Sequence, residues 1–80
     1  MNNKEKYEEV FLKSFALEKD KLNKDLVYES VSAWDSIGHM GMIAELEDVF
    51  EIELETDDII DFSSFEKGKE ILEKYSIIIQ

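Results

Sequence analysis

Residues 34–51 read Trp34-Asp35-Ser36-Ile37-Gly38-His39-Met40-Gly41-Met42-Ile43-Ala44-Glu45-Leu46-Glu47-Asp48-Val49-Phe50-Glu51. An α-helix turns by about 100° per residue. Wound that way, Met42, Ile43, Leu46, Val49 and Phe50 gather on one side, enough for a core stripe. Ile37, Met40 and Ala44 gather on the other side, with Gly41, Glu47, Asp48 and Glu51 among or beside them. Asp35 suits an N-cap, because its carboxylate can accept from an orphan backbone N–H. The segment therefore predicts a helix from Asp35-Ser36 to about Glu51, with Ser36 at the edge of the second face. One stripe is enough to bury a helix. A second stripe, rimmed with carboxylates and next to a serine, suggests a surface that another protein covers. The alternative is packing of that stripe against the preceding loop or the following helix.

The flanks extend this into an all-α chain. Tyr7, Val10, Phe11 and Phe15 fall at helical spacing and predict a first helix over about residues 3–17. From Leu17 to Ala33 the period fails, and Asp20, Asn23, Asp25, Ser30 and Ser32 favour turns. Leu22, Leu26, Val27, Tyr28 and Val31 are too apolar for a fully exposed loop, so a long ordered loop is expected. Thr56 is the expected cap of a short helix over about residues 57–61. Ser63-Ser64-Phe65-Glu66 matches a capping box, and a last helix should run from there to about Tyr75. Phe65, Gly68, Leu72 and Tyr75 form its core stripe. Ile52-Glu53-Leu54-Glu55 alternates briefly, but one short strand has no partner. The expectation is a single domain over residues 1–80, a small four-helix bundle of three long helices and one short one, with a long ordered loop between the first two.

Composition narrows the function classes. The 80 residues include nine Lys and no Arg, 20 Asp plus Glu, and no Cys or Pro, for a formal net charge of -11. Residues 25–66 hold thirteen acids and no Lys, whereas 1–24 and 67–80 each come to +1. A field of this sign opposes nucleic-acid binding and docking to an anionic membrane, and it attracts basic partners. Disulfides and Cys-based zinc sites are excluded, and one histidine cannot build a His-rich metal site. No purely apolar run exceeds three residues, Ile77-Ile78-Ile79 among them, which is far too short to span a bilayer. Behind the first residues there is no apolar run of the kind a secretory signal needs, so a cytoplasmic protein without membrane insertion is expected.

No catalytic or metal apparatus is visible. A serine nucleophile needs an oriented base and an oxyanion hole. His39 lies three positions from Ser36, but no nucleophile elbow is present and a bundle this small offers no substrate cleft. By the helical arithmetic His39 falls on the core side, as a partly buried packing or hydrogen-bonding residue. Asp57, Asp58 and Asp61 do not match a calcium loop. They are expected to favour the N-terminus of the short helix through its dipole.

Trp34-Asp35-Ser36-Ile37-Gly38-His39-Met40, followed by Ile43-Ala44-Glu45-Leu46-Glu47-Asp48-Val49-Phe50-Glu51-Ile52-Glu53-Leu54, resembles the acyl carrier protein family, of the stand-alone type. The family's motif is Asp-Ser before an aliphatic, then an amphipathic helix, then an acidic residue–Phe–x–Ile–x–aliphatic ending. The resemblance covers essentially the whole chain, including helix spacing, the long first loop and the acidic bias. Many family members carry Pro where Glu55 stands. Trp34, Gly38 and His39 look more like carriers of specialised pathways than like the primary fatty-acid carrier.

The resemblance implies a carrier, not an enzyme. Ser36 matches the serine to which a holo-carrier-protein synthase, a phosphopantetheinyl transferase, attaches 4'-phosphopantetheine from coenzyme A. The arm's thiol would hold acyl intermediates as thioesters for fatty acid, polyketide or specialised acyl transfer. Alternatives are an aminoacyl carrier of the D-alanyl type, or an unmodified acidic helical adaptor. Partner enzymes with basic docking patches would read Asp35, Ile37, Met40, Ala44, Glu47 and Asp48. Leu46, Phe50, Ile59, Ile71 and Leu72 would be core and border an acyl-chain cavity. No metal, nucleic acid or membrane insertion is implied, and a monomer is expected.

Overall fold

The computed structural model describes residues 2–80. Four α-helices follow one another: α1 (Asn3–Phe15), α2 (Ser36–Phe50), α3 (Thr56–Asp61) and α4 (Phe65–Glu73). Among the described residues there is no strand, only one isolated antiparallel bridge between Val27 and Ser64. The radius of gyration, 11.3 Å, is what a packed domain of this length has, about 12 Å. No described helix is long and apolar enough to cross a membrane.

Local chemistry explains the helix ends. At α1, Asn2 Oδ1 accepts from the Glu5 N–H at 2.8 Å while the Glu5 carboxylate reaches back to the Asn2 N–H. This reciprocal capping box went unread in the sequence. α1 stops at Phe15, two residues before the expected end, because Ala16 turns left-handed (φ 52°) and its N–H caps Leu12 O. Asp35 caps α2 as expected, its Oδ1 accepting from Gly38 N–H at 2.8 Å. Glu51 ends α2 with a left-handed turn (φ 55°). Thr56 is not a cap: it is the first residue of α3, and Glu55 precedes it without a side-chain bond. α4 is capped by Ser64, which accepts from Lys67 N–H at 2.9 Å. The position three residues on is therefore lysine, and the box expected from Ser63 and Glu66 does not form. α4 ends at Glu73, so Tyr75 lies beyond it in a turn.

The core is aromatic. Tyr7, Phe11 and Phe15 of α1 meet Met42, Ile43 and Leu46 of α2, Phe62, and Phe65, Ile71 and Leu72 of α4. Trp34 is fully buried at its centre, stacked on Phe15 (5.1 Å between centroids) and edge-on to Phe11 (5.6 Å). Burying so large a side chain makes its removal costly, about 3–5 kcal/mol for Trp→Ala. The Tyr7 hydroxyl is buried too and donates to Phe65 O at 2.6 Å, and burial pushes its pKa well above the ordinary range.

Several bonds anchor the segment of residues 16–35. A short 3₁₀ turn spans Lys19–Lys21, and Leu26 is buried. Tyr28 N–H donates to Ser63 O at 2.8 Å and Phe65 N–H to Leu26 O at 2.9 Å. Glu29 N–H donates to Trp34 O at 2.9 Å, closing the last turn before α2. The apolar tail returns to α1: Ile77 is buried and Asn3 Nδ2 donates to Ile78 O at 3.3 Å.

Candidate functional site

Ser36 is the first residue of α2 and is exposed. The N–H groups of the first helical turn have no intrahelical acceptor, and the helix dipole makes that end partly positive. Asp35 consumes one of these donors, the Gly38 N–H. Those of Ser36 and Ile37 belong to the same first turn. The approach to this turn depends on Gly38. A Cβ there would collide with the Ala33 carbonyl oxygen, so only glycine lets the incoming segment lie flat against the helix.

Beside Ser36 lies a cleft of about 320 Å³. Its lining comes from three places: Tyr28 from the connecting segment, Ser36, His39 and Met40 from α2, and Ile59, Ile60, Phe62 and Ser63 from α3 and the turn after it. Four of these eight are Met, Ile or Phe, so the lining is mainly apolar, and Ser36 and Ser63 contribute hydroxyls to it. Of the residues expected to border an acyl-chain cavity, only Ile59 lines this cleft. Leu46, Ile71 and Leu72 are in the core, while Phe50 is half-buried and packed against it. Tyr28, Ile60 and Phe62 were not expected at the site. Their place is set by the pairing of residues 26–28 with 63–65, which no local spacing announces.

His39 is half-buried with both ring nitrogens engaged. Trp34 Nε1–H donates to His39 Nδ1 at 2.9 Å, and His39 Nε2 lies 2.8 Å from Ile59 O. An indole N–H can only donate. Nδ1 must therefore accept, the imidazole is neutral, and its proton is on Nε2, donated to Ile59 O.

The outer face of α2 presents Ile37 at 82% exposure and Met40 at 53%, with Ala44 and Asp48 exposed beside them. Asp35 is exposed at the same end. Glu47 differs from the rest of the expected face. It is half-buried, and its Oε2 accepts from Leu54 N–H at 2.9 Å, stitching α2 to the segment before α3.

On the far side of α3, Asp58 is buried and accepts from Lys74 Nζ and from the Tyr75 hydroxyl, the latter at 2.6 Å. The Tyr75 oxygen in turn accepts from Glu55 N–H at 2.9 Å. The Lys74 and Tyr75 bonds hold the Asp58 carboxyl below the usual aspartate range, and the bond to Asp58 raises Lys74. Asp58 was expected only to favour the α3 dipole; its main role is to clamp α3 to the end of α4. No family model, no curated protein and no solved structure matches this chain.

Proposed function

We propose that the chain is an acyl carrier protein, a small four-helix bundle with a long ordered loop between α1 and α2, carrying 4'-phosphopantetheine on Ser36. The observation that carries this reading is the position of Ser36: an exposed hydroxyl on the first residue of α2, opening onto an apolar cleft. The residues present fit the group. The first-turn N–H groups of Ser36 and Ile37, which have no intrahelical acceptor, and the helix dipole favour a phosphodiester anion there. The Asp35 carboxylate, a like charge, is turned onto Gly38 N–H. When bound, the arm supplies a thiol that holds a cargo as a thioester. The chain's own residues hold its anchor at a helix end, offer an apolar cleft next to it, and present Ile37, Met40, Ala44 and Asp48 for a basic transferase or acyl-transfer enzyme to cover. Catalysis belongs to those partners.

The test is an intact mass after incubation with coenzyme A, magnesium and a phosphopantetheinyl transferase. One phosphopantetheine per chain is expected, with none on Ser36→Ala. A modified Ser36→Ala protein would move the site elsewhere. A wild-type protein that stays unmodified with several transferases would leave an acidic adaptor as the better reading.

A further inference from the structure

Helix α3 forms one wall of the cleft beside Ser36. It has six residues, no side-chain N-cap bond, and Ile60 on its outer side at 72% exposure. So short a helix has little stability of its own. Two attachments hold it in place. Asp58 ties it to Lys74 and Tyr75 at the end of α4. On the cleft side, the side-chain bond is that from His39 Nε2–H to Ile59 O.

His39 is itself held. Its ring lies parallel to the Trp34 indole (11° between planes) and accepts the indole proton at Nδ1. Trp34 is fully buried and stands two residues before Ser36. The three groups thus form a chain of hydrogen bonds from the segment that delivers Ser36, across α2, to the opposite wall of the cleft. We infer that His39 is a positioning residue: through Trp34 and Ile59 it holds α3 against α2, and so keeps the cleft formed for the alkyl part of a group tethered at Ser36. This rests on Ser36 as the attachment point, but its test does not pass through phosphopantetheine.

The chain has no cysteine, so Ser36→Cys supplies a single thiol. Its thiolate displaces methanesulfinate from n-hexyl methanethiosulfonate and leaves a hexyl group on residue 36 through a disulfide. Tethering gives the chain a high effective concentration at the cleft. Nuclear Overhauser effects from the hexyl methylenes to Ile59 and Phe62 are expected. Two further substitutions divide the arms of the relay. His39→Asn keeps an acceptor near the Nδ1 position but cannot reach Ile59 O. His39→Gln keeps a donor near the Nε2 position and gives up the acceptor for Trp34.

In His39→Asn the hexyl contacts to Ile59 should be lost, while the single indole N–H stays protected from solvent exchange. In His39→Gln the hexyl contacts should remain, while indole exchange quickens about tenfold or more. Undiminished contacts in His39→Asn would overturn the positioning role, and so would their absence in the His39 parent. A further readout needs no substitution: imidazole nitrogen shifts must report the Nε2–H tautomer, and the Nδ1–H tautomer would also overturn it. The phosphopantetheine experiment can fail while this one succeeds, and the reverse.

Discussion

Gly68 of α4 lies directly beneath the Tyr7 hydroxyl of α1: a Cβ on Gly68 would collide with that oxygen and with the Phe62 ring. The close approach is what lets Tyr7 reach Phe65 O. Gly68→Ala should therefore destabilise the protein by about 1–3 kcal/mol through overpacking. Gly41 is the natural comparison, since a Cβ there meets nothing within 4 Å. Gly41→Ala should stabilise by about 0.5–1 kcal/mol, the ordinary helical gain. Urea titrations of both variants check this, and equal midpoints would contradict the packing at Gly68.

The clamp between α3 and α4 predicts an acid limb. The Asp58 carboxyl sits below its ordinary value of about 3.9 because Lys74 and Tyr75 bond its charged form. Its contribution is therefore fully present above that value and lost as pH falls through the lower, folded-state value. Lys74 is raised, so its share is present below about 10.4 and fades as pH rises through the folded-state value. Asp58→Asn should lower the Tm at pH 7. The gap from wild type should narrow below about pH 3.9. A gap that stays constant to pH 2 would mean the bonds to Asp58 do not depend on its charge.

Helix α2 ends on a residue poorly suited to its backbone. Glu51 holds a left-handed φ of 55°, a conformation that glycine adopts without the Cβ penalty. Glu51→Gly should raise stability by up to about 1 kcal/mol, the gain being reduced by the freer unfolded chain. Thermal unfolding measures it, and a loss of stability would show that the Glu51 side chain makes a contact of its own.

The acidic face of α2 calls for a more careful test than its sequence suggests. Asp48 is exposed, so Asp48→Lys should slow phosphopantetheinylation about two- to fivefold at low salt, the scale of one exposed pair. The effect should fade as ionic strength rises. Glu47→Lys should slow it as well, but it also strips Leu54 N–H of its acceptor, at about 1 kcal/mol of stability. Glu5 belongs to the α1 capping box, so the control is Glu9→Lys, exposed on α1. Equal slowing by Glu9→Lys and Asp48→Lys would assign the effect to net charge instead of a specific face.

The helices were legible because their signals are local. The 3.6-residue period, Asp35 as a cap and the unfavourable composition of residues 17–33 act over one or two turns of chain. They set the all-α class, the start of α2 at Ser36 and the core stripe Met42, Ile43 and Leu46; they left open whether Ile37 and Met40 are packed over, and the tertiary structure leaves both exposed. The cap of α4 was off by one residue because the adjacent hydroxyls of Ser63 and Ser64 are interchangeable as caps until the flanking chain is anchored, and α3 starts one residue early, at Thr56, without any side-chain cap. What surrounds Ser36 was decided in three dimensions. Tyr28 and Phe62 reach the cleft only because residues 26–28 pair with 63–65. Asp58 is withdrawn from solvent only because α4 brings Lys74 and Tyr75 to it. Glu47 turns from the rim to Leu54, and His39 finds an indole on one side and a carbonyl twenty residues away on the other. A polar side chain near a surface can satisfy its hydrogen bonds in water or in protein at nearly equal free energy. Which it does depends on what the rest of the chain carries to it, and that is a property of packing, which local spacing along the chain does not encode.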